Sequence, residues 1–185
     1  AKHWFILSAH YGEAMASAGL AWCAYEGCQS APNWAQSQHW VQQLMSVDLA
    51  RALYMQWLLE RRLRPISPNI SEGLASLTLN ERGLLEKAVA AGSVHAMVDL
   101  GILCAQSHDL RRALILFERA AVQSDIAAQN AAWVRQRMTL ERRTSTARAQ
   151  EKTNLSQADA IFKAGRQYHR GDGVSVDYVE ALRLY

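Results

Sequence analysis

Six histidines are the side chains of this 185-residue chain most suited to binding a metal ion, and two pairs involving them have helical spacing. His3 and His10 would lie two turns apart on one helix, which is too far for both to reach one ion. His95 and Asp99 would lie one turn apart, but they supply only two ligands. A functional metal site needs three or four convergent ligands, so we expect ordinary surface histidines and no bound metal or other cofactor.

Three cysteines could support redox or nucleophilic chemistry. Cys23, Cys28 and Cys104 show neither the spacing of a zinc site nor a paired framework. A Cys23–Cys28 disulfide is one alternative, where a helix ends, but buried free thiols are favoured because free Cys behaves as a small apolar side chain. The sequence has no nucleophile elbow, phosphate-binding loop or paired-carboxylate motif. We therefore expect a protein that is not an enzyme.

The elements that would position these side chains are clearest in the last 26 residues, 160–185. Small residues, glycines, an acid and tyrosines recur there at fixed spacing: Ala160, Ala164, Gly165, Tyr168, Gly171, Asp172, Gly173, Val174, Asp177, Tyr178, Ala181 and Tyr185. The first three lie within about one helical turn, and their small size lets a second helix approach closely. The later glycines favour a helix end and a tight turn. Asp177 is suited to cap a new helix, and Glu180, three residues later, is placed to complete a capping box with it.

This ordering resembles the Sel-one-like repeat (SLR) family, relatives of the tetratricopeptide repeats. The units of that family read Ala, Leu-Gly, Tyr, Gly-x-Gly-Val, Asp, Ala and Trp-Tyr. Only the Leu is missing here, with Ala164 in its place. The resemblance implies an all-α fold, a right-handed α/α superhelix (solenoid) of stacked antiparallel helical hairpins.

Weaker copies of the same spacing occur earlier in the chain. They are needed because one hairpin cannot bury its apolar face alone. Ala16, Ala96 and Ala127 mark the first helices of such copies. The resulting prediction is a single solenoid over 1–185. It consists of a closing helix over 1–10 and repeats over 11–46, 47–91, 92–123, 124–154 and 155–185, the last of them truncated.

The repeat over 47–91 is degenerate. Residues 46–62 have the composition of a helix, but the small-residue pair cannot be placed on them, so their register stays open. A long loop with two prolines is expected over 63–76. Thr78 with Glu81 then predicts a capped returning helix.

Residues 139–157 form a second irregular stretch, without a large apolar residue between Leu140 and Leu155. A buried helix needs an apolar stripe, so this segment is either an exposed helix with frayed ends or a mobile linker. The absence of Gly and Pro favours the helix. No apolar run reaches the roughly 18–20 residues that a membrane-spanning helix needs.

Basic side chains are concentrated between residues 130 and 170. The net charge of the chain is +3, whereas this segment has three acidic residues against nine basic ones: Arg135, Arg137, Arg142, Arg143, Arg148, Lys152, Lys163, Arg166 and Arg170. Three interpretations remain open, which are a solvated helical face, a surface for an acidic protein, and a nucleic-acid surface. We expect nucleic acid to be the least favoured of the three.

The resemblance implies that recognition occurs on a concave face lined by first helices, at positions flanking the small-residue pair. The corresponding positions are Trp22, Tyr25, Glu26, Ile102, Gln106, Trp133, Gln136, Arg137, Arg166, His169 and Arg170. Trp22 and Trp133 could either anchor a ligand in the groove or fill the core between hairpins. We weight these alternatives equally, since Trp serves both roles.

The predicted function is therefore a protein-interaction scaffold or adaptor, with a protein or peptide partner that is acidic if it binds the basic end. The resembled family occurs both in the endoplasmic reticulum of eukaryotes and in bacterial envelopes. We favour a bacterial periplasm or cell envelope, where such proteins act as regulators, assembly factors or inhibitors. The alternatives are a nucleic-acid-binding array and a passive spacer in a larger protein.

Overall fold

The structure, a computed structural model, describes residues 2–28, 31–63 and 73–185. Within these ranges every regular element is helical, which confirms the predicted all-α fold. A short 3-10 helix over Gly73–Ser76 precedes α5. The α-helices are α1 (Lys2–His10), α2 (Ala14–Glu26), α3 (Trp34–Leu44), α4 (Leu49–Leu63), α5 (Leu79–Ala90), α6 (Val94–Gln106), α7 (Leu110–Ala120), α8 (Asp125–Arg170) and α9 (Tyr178–Leu184).

The chain divides into two compact units, unit 1 (Ala1–Arg135) and unit 2 (Gln136–Tyr185). In unit 1, helices α1 to α7 each pack against the next along the chain, and α2 also packs against α4. This is the packing expected of stacked hairpins. The repeat boundaries themselves stay a prediction.

Small residues allow the close helix approaches of unit 1. Ala21 and Ala52 are fully buried and pack with Val41, Leu44 and Met55 in a core shared by α2, α3 and α4. Between α6 and α7, the Cβ of any residue at position 101 would lie 2.6 Å from the ring of Phe117. Gly101 is therefore required by the packing of Phe117, a residue only 2% exposed.

Capping side chains set several helix starts, as the sequence indicated. The amide of Glu81 donates to Thr78 Oγ1 (3.1 Å), and the amide of Thr78 donates to Glu81 Oε2 (2.7 Å). The predicted capping box of α5 is thus confirmed. Asn33, Asp109 and Asp177 likewise accept hydrogen bonds from the first turns of α3, α7 and α9.

The final hairpin of unit 2 has the predicted turn. Gly171 and Gly173 adopt φ values of +74° and +78°, which side chains with a Cβ rarely adopt. A Cβ at Gly165 would meet the ring of Tyr185 at 3.1 Å, so the small residue allows α9 to approach α8. Glu180 does not complete a capping box here and instead lies 3.5 Å from Arg183.

Two features differ from the sequence-based expectation. Cys23 and Cys28 form a disulfide across the left-handed turn at Gly27, where we expected free thiols, whereas Cys104 is free and buried as predicted. The second difference is α8. Residues 124–154 were expected to form two helices and to be followed by another repeat, but one helix of 46 residues crosses this boundary.

The physical reason for the long helix is the lack of any helix-ending residue, since 125–164 contain neither Gly nor Pro. The linker alternative for 139–157 is therefore wrong. The expected loop over 63–76 falls largely on residues 64–72, which lie outside the described ranges.

Candidate functional site

Unit 1 contains a concave groove formed by two cavities. Its larger part is a cavity of about 460 Å³. Its smaller part, about 270 Å³, is lined by Ala18, Trp22, Arg51, Tyr54, Met55 and His95. The two cavities adjoin because Arg51, Tyr54 and His95 line both. We call them together the unit 1 groove; its volume is typical of ligand sites, about 300–1,000 Å³.

Alternate helices supply the walls of this groove. Trp22 comes from α2, Tyr54 from α4, His95 and Asp99 from α6, and Ile126 from the first turn of α8. These are the first helices of successive hairpins. The lining thus comes from first helices, and of the residues expected on a binding face only Trp22 is part of it.

Helical spacing presents these side chains on one face. Ala18 and Trp22 are four residues apart on α2, and His95 and Asp99 are four apart on α6, so each pair lies one turn apart. The small residues Ala21 and Ala96 lie at other positions of the same two helices and are fully buried. Packing on one side of each helix thus fixes which residues face the groove.

The polar part of the groove is organised by Tyr54 and Asp99. The hydroxyl of Tyr54 donates to Asp99 Oδ2 at 2.8 Å. The ring of His95 stacks on Tyr54, with centroids 5.6 Å apart and planes at 26°. Burial raises the pKa of the Asp99 carboxyl, against the smaller attractions of Tyr54, His95 and Arg61. Burial also raises the pKa of the Tyr54 hydroxyl, and the negative charge of Asp99 adds to that shift.

Asp48 and Arg51 form the rim of the groove. Arg51 Nη1 lies 3.2 Å from Asp48 Oδ2 and also contacts Met15 Sδ at 2.6 Å. The other carboxylate oxygen of Asp48 accepts the backbone N–H of Arg51 at 3.0 Å. Each carboxylate oxygen of Asp48 therefore has a partner within the described residues, whereas only one oxygen of Asp99 accepts a hydrogen bond there.

The apolar part of the groove centres on Trp22, which is 44% exposed. Its ring lies 5.8 Å from that of Tyr25, and the cavity wall beside it comes from Ala18 and Met55. A half-exposed tryptophan over an apolar wall is a frequent anchor of protein interfaces.

Among the predicted surface residues of unit 1, only Trp22 lines the groove described above. Tyr25 is 8% exposed and packs in the core of α2, α3 and α4, so it is not a surface residue. Glu26 is exposed but does not line the groove. Ile102 and Gln106 are exposed on α6. With His95 and Asp99 they follow helical spacing, so they continue the same face beyond the groove.

The remaining predicted residues lie on α8. Trp133 of unit 1 is 53% exposed. Within unit 2, Arg137 pairs with Glu141 at 3.3 Å. His169 places its ring 5.6 Å from Tyr178 and 6.4 Å from Tyr185. Five of the predicted residues are exposed in unit 2 and line neither cavity: Gln136, Arg137, Arg166, His169 and Arg170.

Sequence reasoning did not place Arg51, Tyr54, His95 and Asp99 together in a groove. The one available signal was the His95–Asp99 spacing, which was evaluated only as a metal pair. Arg51 and Tyr54 could not be assigned to a helix face from the sequence, because the register of residues 46–62 was unresolved. Within the described ranges no group of three potential ligands converges on a metal position. No helix of those ranges combines the length and the apolar character needed to cross a membrane.

Comparison with known proteins identifies the fold. The structure is similar to that of a protective antigen present in uropathogenic Escherichia coli strains, a protein displaying an SLR fold, with a TM-score of 0.50 and 17% sequence identity. The match covers 99% of this chain and 39% of the other, so this chain spans well under half the length of that protein. No protein-family model and no curated protein matches the sequence. The predicted SLR fold is thereby confirmed.

Proposed function

We propose that this chain of SLR fold is a non-enzymatic protein-interaction module, which binds a peptide segment of a partner protein in the unit 1 groove. The observation that carries the proposal is the pair of adjoining cavities lined by α2, α4 and α6. Stacked repeats present such extended concave surfaces, and their first helices supply side chains from several positions at once.

The composition of the groove supports a peptide as the ligand. Trp22 offers an apolar anchor, and the Tyr54–Asp99 pair offers polar groups a short distance away. A peptide carries both kinds of group at regular intervals, so it can engage both parts of the groove. Aromatic anchors supply affinity, and the polar groups fix orientation.

We place this activity in a bacterial envelope, where the chain would serve as a regulator, assembly factor or inhibitor. The similar E. coli protein is described as a protective antigen. The Cys23–Cys28 disulfide supports an oxidising compartment such as the periplasm, because disulfides persist there and are rare in the cytosol.

Nucleic-acid binding is the second candidate function, favoured by the exposed basic side chains of α8. Every residue from 139 to 163 is exposed, among them Arg142, Arg143, Arg148 and Lys152. Binding through these groups would be strongly salt-dependent. Binding anchored by Trp22 would be much less so, because burial of apolar surface is not screened by salt.

The test is selection of peptides from a random display library on the immobilised chain, followed by affinity measurement with labelled synthetic peptides. We expect Trp22→Ala to weaken binding by about 10-fold or more, the usual effect of removing an aromatic anchor. Trp4→Ala is the matched control, since Trp4 is 70% exposed on α1 and lines neither part of the groove. Failure to select any peptide, or equal affinity of the Trp22→Ala variant and the native chain, would contradict the proposal.

A further inference from the structure

The polar part of the unit 1 groove contains a carboxylate with an open oxygen. Asp99 Oδ2 accepts the Tyr54 hydroxyl at 2.8 Å, but Oδ1 has no hydrogen bond within the described residues. Asp99 lines the larger cavity. An ionised carboxylate can accept several hydrogen bonds at its two oxygens, so Asp99 retains capacity for a donor from a ligand.

From this arrangement we infer that the groove selects peptides in which a lysine or arginine stands close to a large apolar side chain. The basic group pairs with Asp99, and the apolar side chain packs on Trp22. This inference rests on the proposed peptide-binding function and adds the chemical class of the ligand.

The nearby cations do not already satisfy Asp99. Arg51 is held by Asp48 at 3.2 Å. The guanidinium of Arg61 lies over the ring of Trp57 at 5.5 Å, and no hydrogen bond joins it to Asp99. Burial therefore remains the dominant influence on Asp99 and raises its pKa. A cationic group of the ligand would offset the desolvation penalty of the Asp99 carboxylate by pairing with its partly buried charge.

An anionic ligand fits the groove less well. Among the described lining residues, Arg51 supplies a guanidinium, but that group is already paired with Asp48. The carboxylates of Asp48 and Asp99 would repel an anionic ligand. Like charges brought together in a partly desolvated site are costly. The polar part of the groove therefore favours a basic peptide, in contrast to the acidic partner that the basic segment of α8 suggested.

The two parts of the groove are close enough for neighbouring residues of one peptide. Arg51, Tyr54 and His95 line both cavities, so the cavity beside Trp22 adjoins the cavity that Asp99 lines. An extended peptide advances about 3.3 Å per residue. At that rise, peptide positions about one to three residues apart span roughly 3–10 Å, a range that suits adjoining subsites.

The test uses peptides from the library selection described above. We expect the selected sequences to be enriched in lysine or arginine within about three positions of an aromatic or large aliphatic residue. Replacing that basic residue by glutamine in a synthetic peptide should weaken binding to the native chain by about 10-fold or more, as expected for a charged hydrogen bond. The same replacement should change binding to Asp99→Asn less than about 2-fold, because the interaction is already absent.

Asp159→Asn is the matched control, because it removes the same charge at an exposed position of unit 2. The peptide replacement should weaken its binding as it does for the native chain. Because the first comparison alters the peptide rather than the protein, it is valid even if Asp99→Asn folds poorly.

Two results would overturn the inference. Selected peptides that lack basic residues but still depend on Trp22 would leave peptide binding intact and exclude the Asp99 subsite. If the peptide replacement weakened binding to the native chain and to Asp99→Asn by the same factor, the Asp99 subsite would also be excluded. Failure to select any peptide would contradict both the inference and the proposed function.

Discussion

Asp99, the proposed binding group, has a charge whose burial is unfavourable for folding. Its side chain is partly buried and has a single hydrogen-bond donor, Tyr54, within the described residues. Burial disfavours the charged form of the carboxyl more than its neighbours favour it. Strained or poorly satisfied groups of this kind are common at functional sites, because the ligand completes them.

The first prediction concerns the stability of Asp99→Asn. The pKa of Asp99 is raised in the folded protein, so the native state holds the proton more tightly than the unfolded chain. The contribution of Asp99 to the free energy of unfolding must then fall as pH rises from the ordinary carboxyl range through the raised value. We expect Asp99→Asn to be more stable than the native chain at pH 7, and the two to converge near pH 3. Urea unfolding at both pH values measures this; a less stable variant at pH 7 would contradict it.

The second prediction concerns Gly101. A Cβ at this position would lie 2.6 Å from the buried ring of Phe117. We expect Gly101→Ala to lower the free energy of unfolding by about 1–3 kcal/mol, the usual cost of overpacking. Gly83→Ala is the control, since a Cβ there meets nothing within 4 Å. It should stabilise α5 by roughly 0.5–1 kcal/mol through helix propensity.

Tryptophan fluorescence during urea unfolding suits this comparison, because all six tryptophans lie within unit 1. Two substitutions of the same kind should shift the midpoint in opposite directions. Equal shifts would show that α6 and α7 do not approach as closely as the structure indicates.

At the scale of elements, the sequence predicts best those features that depend on interactions between residues close together in the chain. The cap of α5 and the glycine turn after α8 were predicted correctly, because each depends on a few neighbouring residues. The unbroken α8 was not predicted, although its lack of Gly and Pro was visible. The repeat pattern of the resembled family predicted a turn within these residues. A helix ends, however, only where the sequence has a helix-ending residue such as Gly or Pro.

The groove was predicted only in outline for a related reason. Its position on the first helices follows from the hairpin pattern, and Trp22 was identified from spacing. Tyr54 lies on α4, whose small-residue pair did not fit the template. The contact between Tyr54 and Asp99 joins residues 45 positions apart, and such a pairing requires the three-dimensional packing of α4 against its neighbours.

The third prediction concerns the exposed middle of α8. No side chain from 139 to 163 is buried, so this helix segment contributes little packing energy. Thr146→Pro should break the helix locally, at a cost of about 3 kcal/mol, without shifting the urea midpoint reported by the tryptophans of unit 1. Ile115→Pro is the control, since Ile115 is also exposed but lies in α7, which packs against α6. It should shift the midpoint strongly.

A large shift for Thr146→Pro would mean that residues 139–163 contribute substantially to folding stability, contrary to their exposure. That result would favour the expected hairpin over the long helix. An unchanged midpoint together with a loss of helical circular dichroism would agree with an exposed helix.

At the scale of the whole molecule, two units with different surfaces are present. Unit 1 contains the groove, with its exposed tryptophan and open carboxylate. Unit 2 contains a long exposed helix with basic side chains and a final hairpin. Binding of peptides in unit 1 and binding of nucleic acid by basic side chains of α8 are therefore separable by experiment.

The most direct test of the central claim is hydrogen–deuterium exchange of the chain, alone and saturated with its tightest selected peptide. We predict slower exchange in the segments of α2, α4 and α6 that contain Trp22, Tyr54 and Asp99, with no change over 139–170. Protection confined to 139–170, or none in those three helices, would contradict the assignment of the unit 1 groove as the binding site.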